Sequence, residues 1–281
     1  MMIRIHAIFL ILAFSLNPVS SQVPVKLIVR ADDMGNSYDI GLAVVKAHRE
    51  GIVTSVSVMP TSPFFEEAVR LCQENPDMAA GVHITLLGTR LRPVLSPADV
   101  PSLVTRQGFF YETGEELARA NPDSLELEKE IRAQVEKART GGLHFVYLDY
   151  HRGPPKCVEK AIIKICREQR LLYGQDIDGS VYGYNWFPND IESWPFEILP
   201  DSQRVYYAAP SLTSERQQLF FNALMNMRPG QWILVMHPGL AGPERASVTE
   251  LLCSSRVKEI IRLRNIQLVS YYDIWKEVME K

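Results

Sequence analysis

Residues 25–33 read V-K-L-I-V-R-A-D-D, an apolar, β-branched run that ends on two adjacent carboxylates, Asp32 and Asp33. Val25–Arg30 has the length and composition of a buried strand. Beyond it, Ile40, Leu42, Ala43 and Ala47 recur at helical spacing along Tyr38–Glu50, and Gly51 is placed to end that helix. The same unit then repeats down the chain. Strands are expected at Thr54–Met59, Ala79–Leu86, His144–Leu148, Arg204–Ala208, Gln231–Met236 and Ile266–Ser270. Helices are expected at Phe64–Gln73, Pro155–Glu168, Ser214–Met227, Ser247–Arg264 and Tyr272–Glu280. A further helical stretch, Glu115–Thr140, is interrupted near Asn121-Pro122, and Asn121 or Asp123-Ser124 is positioned to cap its second piece.

Mostly apolar strands that alternate with amphipathic helices predict a parallel sheet covered by helices. About seven such units fit a (β/α) barrel better than an open sheet. No G-x-G-x-x-G follows the first strand, so a dinucleotide-binding fold lacks its main signal. The expectation is a single-domain α/β variant barrel over residues 22–281, preceded by a leader. In residues 1–21, Arg4 precedes the apolar stretch Ala7–Leu16, and Val19-Ser20-Ser21 leads to a cleavage point before Gln22. That apolar stretch is shorter than the roughly 20 residues a membrane span requires. An exported protein, periplasmic or secreted, is the expectation.

With 46% hydrophobic and 22% charged residues the composition is that of a globular chain, not a disordered one. Thirty basic against 33 acidic residues, with no basic run, argue against nucleic acid as a partner. Cys72, Cys157, Cys166 and Cys253 are too few for a disulfide scaffold and are expected as thiols or at most one bridge.

The chemistry collects at strand ends. Asp32-Asp33, His83, Asp149/His151 and His237 each stand at the C-terminal side of an expected strand, the face on which barrel active sites sit. Adjacent strand residues point in opposite directions, so two carboxylates in one site require a bend there. With Val82 and Ile84 toward the helices, His83 faces the interior. One of the two carboxylates, with His83 and His151, makes a carboxylate–imidazole set suited to a divalent metal with open positions. The other carboxylate is then free to act as a base, and His237 as a proton donor near neutral pH. His48, inside a helix, and His144, at the start of a strand, are at the wrong places to join them. Residues 174–200 lack periodicity; Tyr182, Tyr184, Trp186, Phe187 and Trp194 there either offer flat faces to a sugar or pack the loop onto the barrel. Arg92 either contacts a substrate oxygen or caps a helix.

A-D-D-M-G at 31–35, G-I-V-T-S-V-S-V-M at 51–59, G-V-H-I-T-L at 81–86, D-Y-H at 149–151 and H-P-G at 237–239 occur in this order. Together they resemble the YdjC-like carbohydrate deacetylases, the group that includes chitooligosaccharide deacetylase. The resemblance implies a barrel related to the polysaccharide deacetylases, acting on an N-acetylated carbohydrate with one divalent ion, Zn²⁺ or Mg²⁺. It implies Asp33, His83 and His151 as metal ligands, Asp32 as catalytic base and His237 as general acid, and a homodimer. Where the family often has D-S-H-x-H-x-H this chain reads D-Y-H-R-G-P-P, and Asp39 stands where Asn is common. The rival readings are an exported, non-catalytic sugar-binding protein and an O-acetyl esterase on the same scaffold.

Overall fold

Strand β1, Val25–Met34, is buried along both faces, as a central strand of a parallel sheet must be. The structure, a computed structural model, describes residues 23–279 except 89, 154, 176–183, 187–195, 199–203 and 207–212. After β1 come α1 (Tyr38–Arg49), β2 (Ser55–Val58), α2 (Phe65–Gln73) and β3 (Ala79–Ile84). A 3₁₀ turn at Pro101–Leu103 precedes α3 (Gly114–Arg119), α4 (Ser124–Thr140), β4 (Phe145–Tyr150), α5 (Lys156–Gln169) and β5 (Leu172–Tyr173). Then follow β6 (Tyr184–Trp186), β7 (Phe196–Ile198), β8 (Arg204–Tyr206), α6 (Ser214–Met225) and β9 (Gly230–Met236). The chain closes with α7 (Pro243–Cys253), α8 (Ser255–Leu263), β10 (Gln267–Leu268) and α9 (Tyr271–Met279).

The sheet runs β5-β4-β3-β2-β1-β9-β6, and β10 pairs with the first half of β1 below β2. Every pairing in it is parallel. It is a curled α/β barrel variant whose end strands, β5 and β6, are not paired with each other among the described residues. β7 and β8 form a separate antiparallel ribbon.

The two faces divide the core. Leu27, Val29 and Ala31 join the apolar layer under the helices, with Val82, Ile84 and Leu148. Ile28 instead joins Tyr147, Ile233, Val235 and Tyr271 on the inner face, where α9 packs. Helix α1 buries Ile40, Val44 and Val45 against the outer layer, each contributing about 1.5–3 kcal/mol. Asp123 caps α4 by accepting from the Leu125 and Glu126 amides, as its position suggested.

Several expectations need correction. β1 continues past Arg30 to Met34, because a register shift between Ala31 and Met34 lets pairing with β2 resume at Met34–Val58. Gly51 does follow the end of α1, whose last residue is Arg49 and whose cap is Glu50, but its φ is not positive. A Cβ there would lie 2.5 Å from the Ala47 carbonyl oxygen and 2.6 Å from that of Leu252, so close backbone approach requires the glycine. The helix expected over 247–264 is two: Ser254, extended at ψ 143°, ends α7, and its side chain caps α8 through the Val257 amide. Residues 174–200 contain the short strands β6 and β7, too brief to leave a periodic signal, and much of the remainder lies outside the described residues.

All four cysteines are free thiols, with Cys72 and Cys166 buried. Burial pushes both of those thiols up to about 12. Among the described residues no helix is long and apolar enough to cross a membrane. His48 and His144 both line a cavity of about 1090 Å³ at the N-terminal strand ends, with Val53, Ala79 and Trp275, at the end of the sheet opposite the catalytic candidates.

Candidate metal centre and active site

Reading each strand at every second residue along the inner face shows how the site is built. The rows are Ile28-Arg30-Asp32, Ser55-Ser57, Ala79-Gly81-His83, Tyr147-Asp149 and Ile233-Val235-His237. Each is apolar or small early and polar or ionisable late, so the C-terminal strand ends gather the chemistry. Parallel register sets His83 opposite Asp149 and Met236 opposite Ala31, which brings His237 beside Asp32-Asp33. Gly81 leaves room for the Tyr147 ring to cross β3, where a Cβ would lie 2.2 Å from it, and the Tyr147 hydroxyl reaches Ser57 Oγ at 3.0 Å.

The bend that two neighbouring carboxylates demand is present. Asp33 has φ 69°, within the register shift of β1. Asp tolerates this region better than most side chains, and such strain concentrates at functional sites. Asp32 and Asp33 are both buried.

Three ligand atoms converge. His151 Nδ1 lies 3.0 Å, and His83 Nε2 3.6 Å, from Asp33 Oδ1. Yet Oδ1 is buried and accepts no hydrogen bond. A buried carboxylate oxygen facing two imidazole nitrogens without a bond to either fits a shared cation, and the donor set is that of a catalytic zinc or similar divalent site. Burial alone would raise the Asp33 carboxyl; the contacts with His151 and His83 overcome it and hold the carboxyl well below its ordinary value. Burial lowers the His151 imidazole further than Asp33 raises it, leaving the neutral form that binds metals.

His83 Nδ1 is 2.9 Å from Asp149 Oδ1, the carboxylate–histidine pairing that orients a ligating ring. Asp149 Oδ2 accepts from Ser57 Oγ at 2.6 Å and lies 3.1 Å from Arg30 Nη1. A second possible set, Asp32, His83 and Asp149, is already satisfied. Arg30 donates through Nε and Nη2 to both oxygens of Asp32, at 2.7 and 3.0 Å, and His83 Nδ1 is committed to Asp149. Arg30 is fully buried and also donates to the Gly174 carbonyl at 2.6 Å. Burial disfavours its charge, but Asp149 and Asp32 more than offset that and raise its pKa well above normal.

His237 follows β9 and is half-buried, near enough for its charge to help lower Asp33. Its loop is clamped from below. Asp39 Oδ2 accepts from the Leu240 and Ala241 amides at 3.2 and 3.0 Å, while Thr249 Oγ1 accepts from the Gly239 amide and donates to the Gly239 carbonyl. On the far side of Asp33, Arg245 Nη2 donates to Oδ2 at 2.6 Å.

Asp32, Asp33, His83, His151 and His237 therefore meet in one place. Arg92 does not cap a helix. Its guanidinium sits 4.0 Å over the Phe109 ring and donates to the Gly108 carbonyl, within the loop that follows β3. Tyr184 and Trp186 have their backbones paired to β9, opposite Gln231 and Ile233, but their side chains lie outside the described residues, as do Tyr182, Phe187 and Trp194. Sequence reasoning missed Arg30, Arg245 and the orienting role of Asp149. Arg30 carried a signal, a basic residue in mid-strand two positions before Asp32 and on the same face.

A family model described as YdjC-like protein matches residues 26–263. A carbohydrate deacetylase of Enterococcus faecalis is 28% identical over 261 residues, covering 88% of this chain and 97% of that relative. A carbohydrate deacetylase of Brevibacillus brevis is 38% identical over 148 residues, 52% of this chain, and the match spans only 57% of that relative's length. The crystal structure of an Enterococcus faecalis protein assigned to cellobiose-phosphate cleavage has the same fold, with a TM-score of 0.71 at 24% identity over 89% of this chain and 99% of that one. With strand order, motif order and a match over most of its length in agreement, the chain belongs to the YdjC-like family.

Proposed function

We propose that the protein is a metal-dependent hydrolase that removes the acetyl group from an N-acetylated sugar or oligosaccharide. The observation that carries this reading is the buried, unbonded Asp33 Oδ1 facing His83 Nε2 and His151 Nδ1, with Asp32 Oδ2 3.9 Å from the same His83 nitrogen. The two carbohydrate deacetylase relatives support the choice of substrate class.

Asp33, His83 and His151 would hold one divalent ion, Zn²⁺ or Mg²⁺. Bound there, it supplies Lewis-acid polarisation of the acetyl carbonyl and acidifies water. Asp32, its carboxylate gripped by the Arg30 fork, takes the proton of the attacking water. His237 gives a proton to the sugar nitrogen as the C–N bond breaks. Arg92, Tyr184 and Trp186 remain proposed sugar contacts. A leader over residues 1–21 and export to the periplasm or medium complete the reading, with a homodimer as the proposed assembly.

Acetate release from a panel of N-acetylated mono- and oligosaccharides tests it, using metal-stripped protein reloaded with Zn²⁺, Mg²⁺, Mn²⁺ or Co²⁺. The expected result is metal-dependent acetate that Asp32→Asn abolishes while keeping its metal, and that His83→Ala abolishes together with metal binding. No acetate from any N-acetyl sugar, with one metal bound per chain, would sink the reading in favour of an O-acetyl esterase or a sugar-binding protein.

A further inference from the structure

The glycine of the H-P-G motif has a role that its backbone angles do not explain. Gly239 is not among the glycines with positive φ. What it lacks is space: a Cβ there would sit 2.8 Å from Arg245 Cβ and 3.1 Å from Arg245 Cδ, at the root of that side chain and not at its flexible tip. The Arg245 stem thus passes directly over residue 239 on its way to Asp33. Its carbonyl accepts the Gly239 amide at 3.2 Å, so the two residues are tied at both backbone and side chain.

Arg245 is poorly placed if stability is its only purpose. Nη2 bonds Asp33 Oδ2 at 2.6 Å, but Nη1 is buried with no acceptor, and a buried unpaired donor carries a desolvation penalty. What the arrangement achieves is a division of the Asp33 carboxylate. One oxygen is engaged by the guanidinium; the other is left bare toward the two imidazoles.

We propose that Arg245 is a positioning residue for the metal: it takes Oδ2 of Asp33, reserves Oδ1 for the cation, and reaches Asp33 only because residue 239 has no side chain. The proposal rests on the metal reading above. Groups that orient a ligating side chain typically contribute 10–100-fold in metal affinity.

The test titrates metal-stripped full-length protein with Zn²⁺ in competition with a chromogenic chelator, and records the visible spectrum of the Co²⁺-loaded form. Arg245→Met is expected to bind Zn²⁺ about 10–100-fold more weakly, with a shifted Co²⁺ spectrum as Asp33 rotates. Arg245→Lys, which keeps a charge and one donor, should recover part of the loss. Gly239→Ala should weaken binding in the same direction although Arg245 is still present. If Arg245→Met does not fold, the lysine and Gly239→Ala variants carry the test. Wild-type affinity in Arg245→Met overturns the role of Arg245, and wild-type affinity in Gly239→Ala overturns the role of Gly239. Because the readout is metal binding, absent acetate release would sink the deacetylase reading alone, whereas a wild-type chain that binds no metal would sink both.

Discussion

Arg30 holds both oxygens of Asp32, the neighbour two residues on along the same strand face, and its third nitrogen faces Asp149, the residue that orients His83. One buried guanidinium thus links the proposed base to the support of a proposed metal ligand. Arg30→Met should destabilise the fold by about 3–5 kcal/mol, because it leaves the buried Asp32 carboxylate without the guanidinium that holds both its oxygens and takes from Asp149 one of its two cationic neighbours. Urea denaturation of the metal-free protein measures this. Arg30→Lys should recover only part, since an ammonium cannot make the two-pronged contact.

Asp149→Asn removes the charge behind His83 without changing its shape. Metal affinity should drop about 10–100-fold, and the His83 imidazole should titrate lower than in the wild type. Chelator competition reads the first, and NMR titration of the metal-free protein the second. An unchanged His83 titration would mean that Asp149 does not act through that ring.

Metal binding should release close to one proton. Burial opposes the charge on His83, but Asp149 and Asp32 outweigh it and push its pKa up to about 10 in the metal-free protein. His151 and Asp33 are shifted the other way and carry no proton to lose near neutrality. A cation that takes His83 Nε2 must displace its proton, so affinity should rise with pH by about tenfold per unit up to pH 10 and fall on acidification. Calorimetry in buffers of different ionisation enthalpy counts the proton.

Asp39→Ala should lower kcat while leaving Zn²⁺ affinity within about twofold, because it frees the Leu240 and Ala241 amides and loosens the His237 loop without touching Asp33. Asp39→Asn, which retains an accepting oxygen, should restore most of the rate. Steady-state kinetics beside the chelator assay separates this effect from that of Arg245.

What was legible in the amino-acid sequence was what depends on local repetition. Period-two burial fixed which way His83 points, with Val82 and Ile84 against the helices. Strand-end position identified Asp32, Asp33, His83, His151 and His237 as one set, since parallel strands all end on the same face. The strand–helix alternation likewise announced the parallel sheet, and motif order announced the family.

Tertiary structure decided everything that depends on which strands are neighbours and in what register. Asp149 supports His83 because β3 and β4 are adjacent with those two residues opposite each other. Arg30 reaches Asp149 although no strand pairing joins β1 to β4, because both residues project to the same inner face. Arg245 reaches Asp33 across 212 positions of chain, past a glycine whose missing side chain makes the path. The end of β1 depends on a neighbour in the same way: only pairing with β2 shows that the strand resumes after the bend at Asp33. A linear pattern records the direction in which a side chain leaves the backbone. The partner it meets is set by chain folding, where contacts form between residues whose spacing in sequence carries no period.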